Sequence, residues 1–350
     1  MALFSIKDVR IAGVSACVPK GRASNIDSQL LSLEDRQKLI KTTGIEHRRV
    51  ATPEQCTSDL CFAAADQLLK TLAWQRDEID VIVFVSQTAD YYLPATSFLL
   101  QNRLGLGRHV VAFDVSLGCS GFTQGLSIVA GLLSASGLRK GLLLCGDTPS
   151  KSVSPDDRSA ALLFGDAGAA AALISTPGQR MVFDVGSDGA GWQAINIPDG
   201  GYRNPITAAS LETVRVDEGI ARNRTQLALD GVEIFNFALR EVPKTVRSVM
   251  DHVGATTDGV DAFVFHQANL LMNDMIRKKL KVPAEKVFYS LRDYGNTSSA
   301  SIPLTMVTEL GSRLESGPQR LLLCGFGVGL SWATTYAETD AIACPALVEL

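Results

Sequence analysis

The chain has 350 residues, 46% hydrophobic and 20% charged, a balance ordinary for a globular protein and enough for one large domain or two similar ones. Its formal net charge of -4 argues against a general affinity for nucleic acid or an anionic membrane surface, and no run of about 18 uncharged apolar residues predicts a membrane span. Seven cysteines without a CxxC or a zinc-type Cys/His cluster, behind an N-terminal run lacking a signal-peptide pattern, fit a reducing cytoplasm and predict no metal site.

In chain order, strands are predicted near 8–15, 81–86, 110–115, 141–146, 168–175, 181–188, 261–266, 286–290, 320–325 and 330–337. Helices are predicted near 57–73, 94–104, 120–136, 228–252, 269–280 and 300–314. The alternation implies mixed or parallel sheets flanked by helices. Between Asp230 and His252, apolar Val232, Phe235, Ala238, Leu239, Val242, Val246 and Val249 recur at helical spacing, with a break or kink expected near Pro243. The polar, Gly-rich stretch 186–225 reads as an irregular excursion.

The chain reads as written twice. Leu-Leu-Leu-Cys-Gly stands at 142–146 and again at 321–325, an offset of 321 − 142 = 179. Phe84-Val85-Ser86-Gln87 resembles Phe263-Val264-Phe265-His266-Gln267, with the glutamines 267 − 87 = 180 apart. Chance similarity of apolar strands is the bland alternative. Two pairs sharing order and offset favour an internal duplication.

Cys119 lies in Ser116-Leu117-Gly118-Cys119-Ser120-Gly121-Phe122, between a predicted strand and a predicted helix. A thiol at a helix N-terminus, flanked by small residues, is a candidate nucleophile whose thiolate the helix dipole favours. The offset carries Cys119 to 296–299, where Tyr294-Gly295-Asn296-Thr297-Ser298-Ser299 forms another small-residue turn before a helix. His266 ends a predicted strand, where an imidazole projects into a crevice. His47, His109 and His252 read as structural or solvated. Asn296 can cap a helix, and can also offer its amide beside a neutral imidazole to a developing oxyanion. Gly325-Phe326-Gly327-Val328-Gly329 lacks dinucleotide spacing and reads as a tight turn whose N–H groups face a substrate carbonyl. Arg158 suits a phosphate or a surface ion pair; Asp166 reads as structural; Arg277-Lys278-Lys279 reads as a solvated face or a docking surface for an acidic partner.

Together, Gly118-Cys119-Ser120-Gly121, His266-Gln267-Ala268-Asn269 and Gly295-Asn296-Thr297-Ser298 resemble the β-ketoacyl-acyl carrier protein synthase III family of thiolase-like condensing enzymes. The resemblance runs over nearly the whole chain and includes Thr43-Gly44-Ile45-Glu46-His47-Arg48-Arg49, Phe164-Gly165-Asp166 and Gly325-Phe326-Gly327. It implies an α/β thiolase-like fold of two similar βαβ-type halves related by a pseudo-dyad, in layers αβαβα. Residues 1–180 would carry Cys119, and residues 181–350 would carry His266 and Asn296. It also implies a homodimer, acyl transfer from a coenzyme A or carrier-bound thioester to Cys119, and decarboxylative Claisen condensation with malonyl-acyl carrier protein. Cys119, His266 and Asn296 would be catalytic, with backbone N–H groups of Cys119 and Val328 at the oxyanion. Arg158, Leu93, Asn269 and Phe326 would contact substrate, and Arg277, Lys278 and Lys279 would dock the carrier protein. The resemblance implies no metal or other cofactor.

Several positions depart from the family pattern. Lys38 and Thr42 stand where a Trp and an Arg often sandwich adenine. Leu271 replaces a docking arginine, Leu93 a pocket-closing aromatic supplied across the dimer, and Val328 a glycine. The tail from Glu338 to Leu350 extends past the usual end. These departures tilt the expectation from fatty-acid initiation toward a specialised acyl pathway. Two alternatives stay open: an acyltransferase of the same fold that passes the acyl group to oxygen or nitrogen without decarboxylation, and a non-catalytic partner subunit.

Overall fold

The computed structural model describes residues 2–350. Its main elements are β1 (Ala2–Val18), α1 (Leu33–Thr43), α2 (Thr57–Thr71), β2 (Val81–Val85), α3 (Thr96–Arg103), β3 (Val111–Val115), α4 (Gly121–Ser136), β4 (Lys140–Asp147) and β5 (Ala167–Ser187). There follow α5 (Gly231–Val253), β6 (Ala262–Phe265), α6 (Leu270–Leu280), α7 (Ser301–Ser316), β7 (Gln319–Gly327) and β8 (Ser331–Thr339).

The strands form two stacks that share β1 and β5. In the first, β3 pairs parallel with β2 and β2 parallel with β4; β4 then runs antiparallel to β5, and β5 antiparallel to β1. In the second, β6 pairs parallel with β7, followed by antiparallel β8 and β5. β5 serves both because residues 167–174 pair with β4 and residues 181–187 with β8. The strands expected at 168–175 and 181–188 are therefore one continuous strand, crossing residue 180 without interruption.

Side-chain alternation builds the layers. Val81, Val83, Leu143, Ala262, Val264, Leu321 and Leu323 all enter one core, which α4 and α7 fill from between the stacks. Ile82, Phe84, Leu142 and Leu144 face the other way, onto α2. Phe263, Phe265, Leu322 and Cys324 face outward onto α5 and α6. Each central strand is buried on both faces, which is why these runs read as continuously apolar.

Two expectations need correction, and one helix lies where none was expected. Residues 286–290 do not form a strand: a single parallel bridge joins Val287 to Phe263, while Gln267 Oε1 accepts from the Ser290 N–H at 3.1 Å. A side chain thus takes the place of ladder partners. α5 is not broken at Pro243 but runs from Gly231 to Val253. The carbonyl of Leu239, deprived of its N–H donor by the proline, accepts from Lys279 Nζ at 3.0 Å. α1 was not expected because it buries no residue and so shows no apolar stripe; Ser32 capping the Asp35 N–H was its legible signal.

The excursion after β5 holds short 3-10 turns and a hairpin of Val214–Asp217 with Ile220–Arg222. Among the described residues, no helix is long and apolar enough to cross a membrane, and no group of three His, Cys, Asp or Glu side chains could hold a metal ion.

Candidate active site

β3 ends at Val115, and the chain turns through Ser116–Ser120 before α4 begins at Gly121. Cys119 sits in that turn, 8% exposed. The N-cap Ser120 offers no side-chain hydrogen bond to the first-turn amides; its hydroxyl meets Ser331 Oγ at 2.7 Å instead. Gly327 lies so close that a Cβ there would stand 2.7 Å from Cys119 Cβ and 2.9 Å from Sγ. The glycine loop can therefore lie flat against the nucleophile only without a side chain at 327.

Burial and the charge of Asp147 push the Cys119 thiol up to about 11, while the Ser298 hydroxyl and the N–H groups of Val328 and Cys119 act in the opposite sense. In the free site desolvation outweighs the surrounding donors.

His266 follows β6, its N–H bonded to the Cys324 carbonyl at 2.8 Å. Burial lowers the imidazole to about 3, so the ring is neutral. Nδ1 lies 2.7 Å from Ser301 Oγ, and that oxygen also accepts from the Gln267 N–H at 3.3 Å. The hydroxyl proton is thus free to point at Nδ1, which leaves the ring proton on Nε2. The edge of the ring meets Phe326 at 5.5 Å and 87°.

Asn296 follows Gly295, whose φ of 67° suits glycine, and where a Cβ would press within 2.8 Å of the Leu163 carbonyl. The Asn296 backbone bridges to Phe164. Its Oδ1 accepts from the Ser298 N–H at 3.0 Å, which turns Nδ2, the donor, toward the remaining space.

Cys119, His266 and Asn296 all line one cavity of about 760 Å³, together with Asn269, Phe326 and Val328. Ile195, Leu227, Ile234 and Met272 add apolar lining to the same cavity. Asn269 also caps α6, accepting from the Met272 N–H at 2.8 Å. Leu93 does not line this cavity in the single chain; it is 76% exposed beside Tyr91 and Tyr92. Arg158 is exposed and lies across Gly219, while neighbouring Asp157 pairs with Arg222 at 2.9 Å.

The basic run on α6 is partly engaged. Arg277 binds Asp274 and the Val282 carbonyl, Lys278 pairs with Asp274 at 2.7 Å, and Lys279 reaches Leu239. Lys38 pairs with Glu34 on exposed α1. Asp166 is fully buried, accepting from the N–H groups of Ala51 and Ser150, the structural place expected of it.

Sequence reasoning missed three residues at this site. Ser301 Oγ lies against His266 Nδ1. Asp147, 2% exposed, lines the cavity at the end of β4. Ser298 Oγ stands 4.0 Å from Cys119 Sγ. A signal for Ser298 was present: the 179-residue offset of the two Leu-Leu-Leu-Cys-Gly runs carries Cys119 to 119 + 179 = 298.

Residues 113–189 match the family described as 3-oxoacyl-[acyl-carrier-protein (ACP)] synthase III, and residues 250–339 match its C-terminal part. The chain is 35% identical to a beta-ketoacyl-[acyl-carrier-protein] synthase III of Rhodopirellula baltica, over 94% of this chain and 98% of that protein. It is 35% identical to beta-ketoacyl-[acyl-carrier-protein] synthase III 2 of Streptomyces coelicolor, over 93% and 92% of the two chains. Among solved structures, a 3-oxoacyl-(acyl-carrier protein) synthase from Burkholderia xenovorans superposes with a TM-score of 0.93 and 40% identity, covering 100% of this chain and 99% of that one. A priming β-ketosynthase from the R1128 polyketide pathway has a TM-score of 0.81 and 29% identity, covering 97% and 98%. The thiolase-like fold expected from the sequence is the fold of these neighbours.

Proposed function

The chain belongs to the β-ketoacyl-acyl carrier protein synthase III family, and from that premise we propose that it acylates Cys119 from an acyl thioester and condenses that group with malonyl-acyl carrier protein. The observation that carries this reading is the meeting of Cys119, His266 and Asn296, from three separate elements, on one largely apolar cavity.

The Cys119 sulfur attacks the thioester carbonyl. N–H groups of Cys119 and Val328, which already face the sulfur, hold the tetrahedral oxyanion. The malonyl thioester then loses carbon dioxide. Nε2–H of neutral His266 and Nδ2 of Asn296 donate to its carbonyl oxygen and stabilise the enolate, which attacks acyl-Cys119 and releases the 3-oxoacyl product. A neutral imidazole suits this task because it donates without carrying a charge that a dry site would have to solvate.

Phe326 and Asn269 shape the channel along which the thioester enters, and Arg158 contacts its phosphates at the mouth. The exposed Tyr91-Tyr92-Leu93 prominence packs against a second copy, so that Leu93 bounds the acyl pocket of the homodimer. The α6 face carrying Arg277, Lys278 and Lys279 receives the acidic carrier. The seven free thiols fit the cytoplasm. The substitutions at Lys38, Thr42 and Leu93 favour a specialised acyl donor over the shortest starter.

The test is intact-protein mass after exposure to a panel of acyl thioesters, followed by release of labelled carbon dioxide from malonyl-carrier protein. Acylation of Cys119 followed by carbon dioxide release supports the reading. Acylation without carbon dioxide from any malonyl thioester overturns it.

A further inference from the structure

The two N–H groups assigned above to one oxyanion, of Cys119 and Val328, come from turns far apart in the chain. Their spacing matters, because a donor displaced by about 1 Å loses much of its hold on a developing charge. Val328 stands in the loop between β7 and β8, beyond the last paired residues Gly327 and Ser331. Among the described residues its N–H bonds to no oxygen, so that amide is open to a ligand. Its carbonyl, by contrast, accepts from Ser331 Oγ at 2.8 Å.

A serine hydroxyl has one proton, and that of Ser331 goes to Val328, since a carbonyl can only accept. Ser331 Oγ also meets Ser120 Oγ at 2.7 Å, so Ser120 is the donor in that contact. The Ser120 oxygen is left to accept, and Gln124 Nε2 donates to it at 3.0 Å. The result is one directed string, from Gln124 to Ser120 to Ser331 to Val328. Both serines are buried, where breaking a hydrogen bond leaves a polar atom unpaired at a cost of about 1–3 kcal/mol. Ser120 directly follows Cys119, and its hydroxyl makes this contact in place of the usual bond to the first-turn amides of α4. The string thus joins the nucleophile's own turn to the glycine loop through side chains. Leu330, at the other end of the loop, is held by backbone, exchanging N–H···O bonds of 2.9 and 2.8 Å with Asp188. Val328 has no such backbone bond, so Ser331 is what fixes it.

We propose that Ser331, held by Ser120, is a positioning residue for acylation: the two hydroxyls form a strut that sets the distance between the Cys119 and Val328 N–H groups. The inference deepens the function proposed above and rests on its oxyanion assignment. As the substrate carbonyl becomes tetrahedral, its oxygen gains charge and needs both donors at once. Without the strut Val328 keeps its N–H but not its place, because its carbonyl is free to turn. Neither hydroxyl of the strut bonds to Cys119 Sγ, whose side-chain neighbour is Ser298 Oγ at 4.0 Å. The strut therefore acts on reactions of the thiol that build an oxyanion and spares those that do not.

The test compares two reactions of Cys119 in the full chain, with Cys119→Ala as the blank for other thiols. Acylation by p-nitrophenyl acetate passes through a tetrahedral oxyanion; alkylation by iodoacetamide does not. In S331A the ratio of acylation rate to alkylation rate should fall at least about fivefold, less than the loss of a whole oxyanion donor because the N–H is loosened and not removed. The double variant S120A/S331A should have the ratio of S331A within about twofold, since both changes break one string. A smaller fall in S331A, a parallel loss of both reactions that leaves the ratio unchanged, or a further fall in the double variant would each overturn the strut. If S331A does not fold, S120A decides, with a fall in the ratio of at least about threefold expected and a smaller one overturning the proposal. A wild-type Cys119 that is alkylated but not acylated would overturn the oxyanion assignment and the strut with it. Neither reagent involves a malonyl thioester, so the result stands apart from whether the proposed condensation occurs.

Discussion

Lys279 Nζ lies 3.0 Å from the carbonyl oxygen of Leu239, the acceptor that Pro243, four residues on, leaves without its helical donor. A lysine on α6 thereby completes the hydrogen bonding of α5, and this contact explains how a 23-residue helix runs through a proline. Lys279→Met should lower stability by about 1 kcal/mol, typical of one hydrogen bond at a partly wet site. In a Pro243→Ala background, where residue 243 regains its N–H, the same change should cost measurably less. Denaturant unfolding of the four proteins of the cycle checks this; equal losses in both backgrounds would show that the lysine does not stand in for the missing donor.

The 2.7 Å contact of Ser301 Oγ with His266 Nδ1 predicts a positioning role. Ser301→Ala frees the imidazole to place its proton on either nitrogen. Decarboxylation should fall by about tenfold while acylation of Cys119 stays near wild type, and Ser301→Thr should restore most of the loss. Nitrogen NMR of His266 should show the Nε2–H tautomer in the wild-type protein and a mixture in the alanine variant. An unmixed tautomer in that variant would refute the role.

His266 also predicts a pH dependence. Its folded value, about 3, lies below the ordinary 6.5, so between those values the unfolded chain binds a proton that the folded protein does not. The stabilisation is full above about pH 6.5 and is lost as pH falls toward 3. Thermal unfolding between pH 6.5 and 4 should have a shallower pH slope in His266→Gln than in wild type. Decarboxylation should show no inflection from this ring between pH 5 and 8; an inflection that disappears in His266→Gln would contradict the neutral-donor role.

Gly327→Ala places a methyl group where 2.7 Å separates it from Cys119 Cβ. Either the sulfur or the loop must move. Acylation should fall on the order of 10²-fold, the usual consequence of a displacement near 1 Å at a reacting centre. Circular dichroism should be unchanged, because the clash is confined to the loop and the nucleophile's turn. Acylation within threefold of wild type would show that the close approach is not required.

The sequence alone carried the alternation of strands and helices and the three motif-borne side chains Cys119, His266 and Asn296, which line one cavity. Both rest on local pattern: apolar runs buried on both faces, and small residues at strand ends. What it could not carry are relationships between residues far apart in the chain. The continuous β5 was read as two strands because the tracts 168–175 and 181–188 each end in polar residues that only the pairing with β1 bridges. The strand expected at 286–290 gave way to hydrogen bonds with the side chain of Gln267, which donates to the Phe288 carbonyl and accepts from the Ser290 N–H, and no periodicity displays these. Asp147, Ser298 and Ser301 belong to the site because folding sets them beside Cys119 and His266. Burial, which raises the Cys119 thiol and lowers the His266 imidazole, is a property of the packed interior, so only the tertiary structure could decide that the thiol is held high and the imidazole neutral.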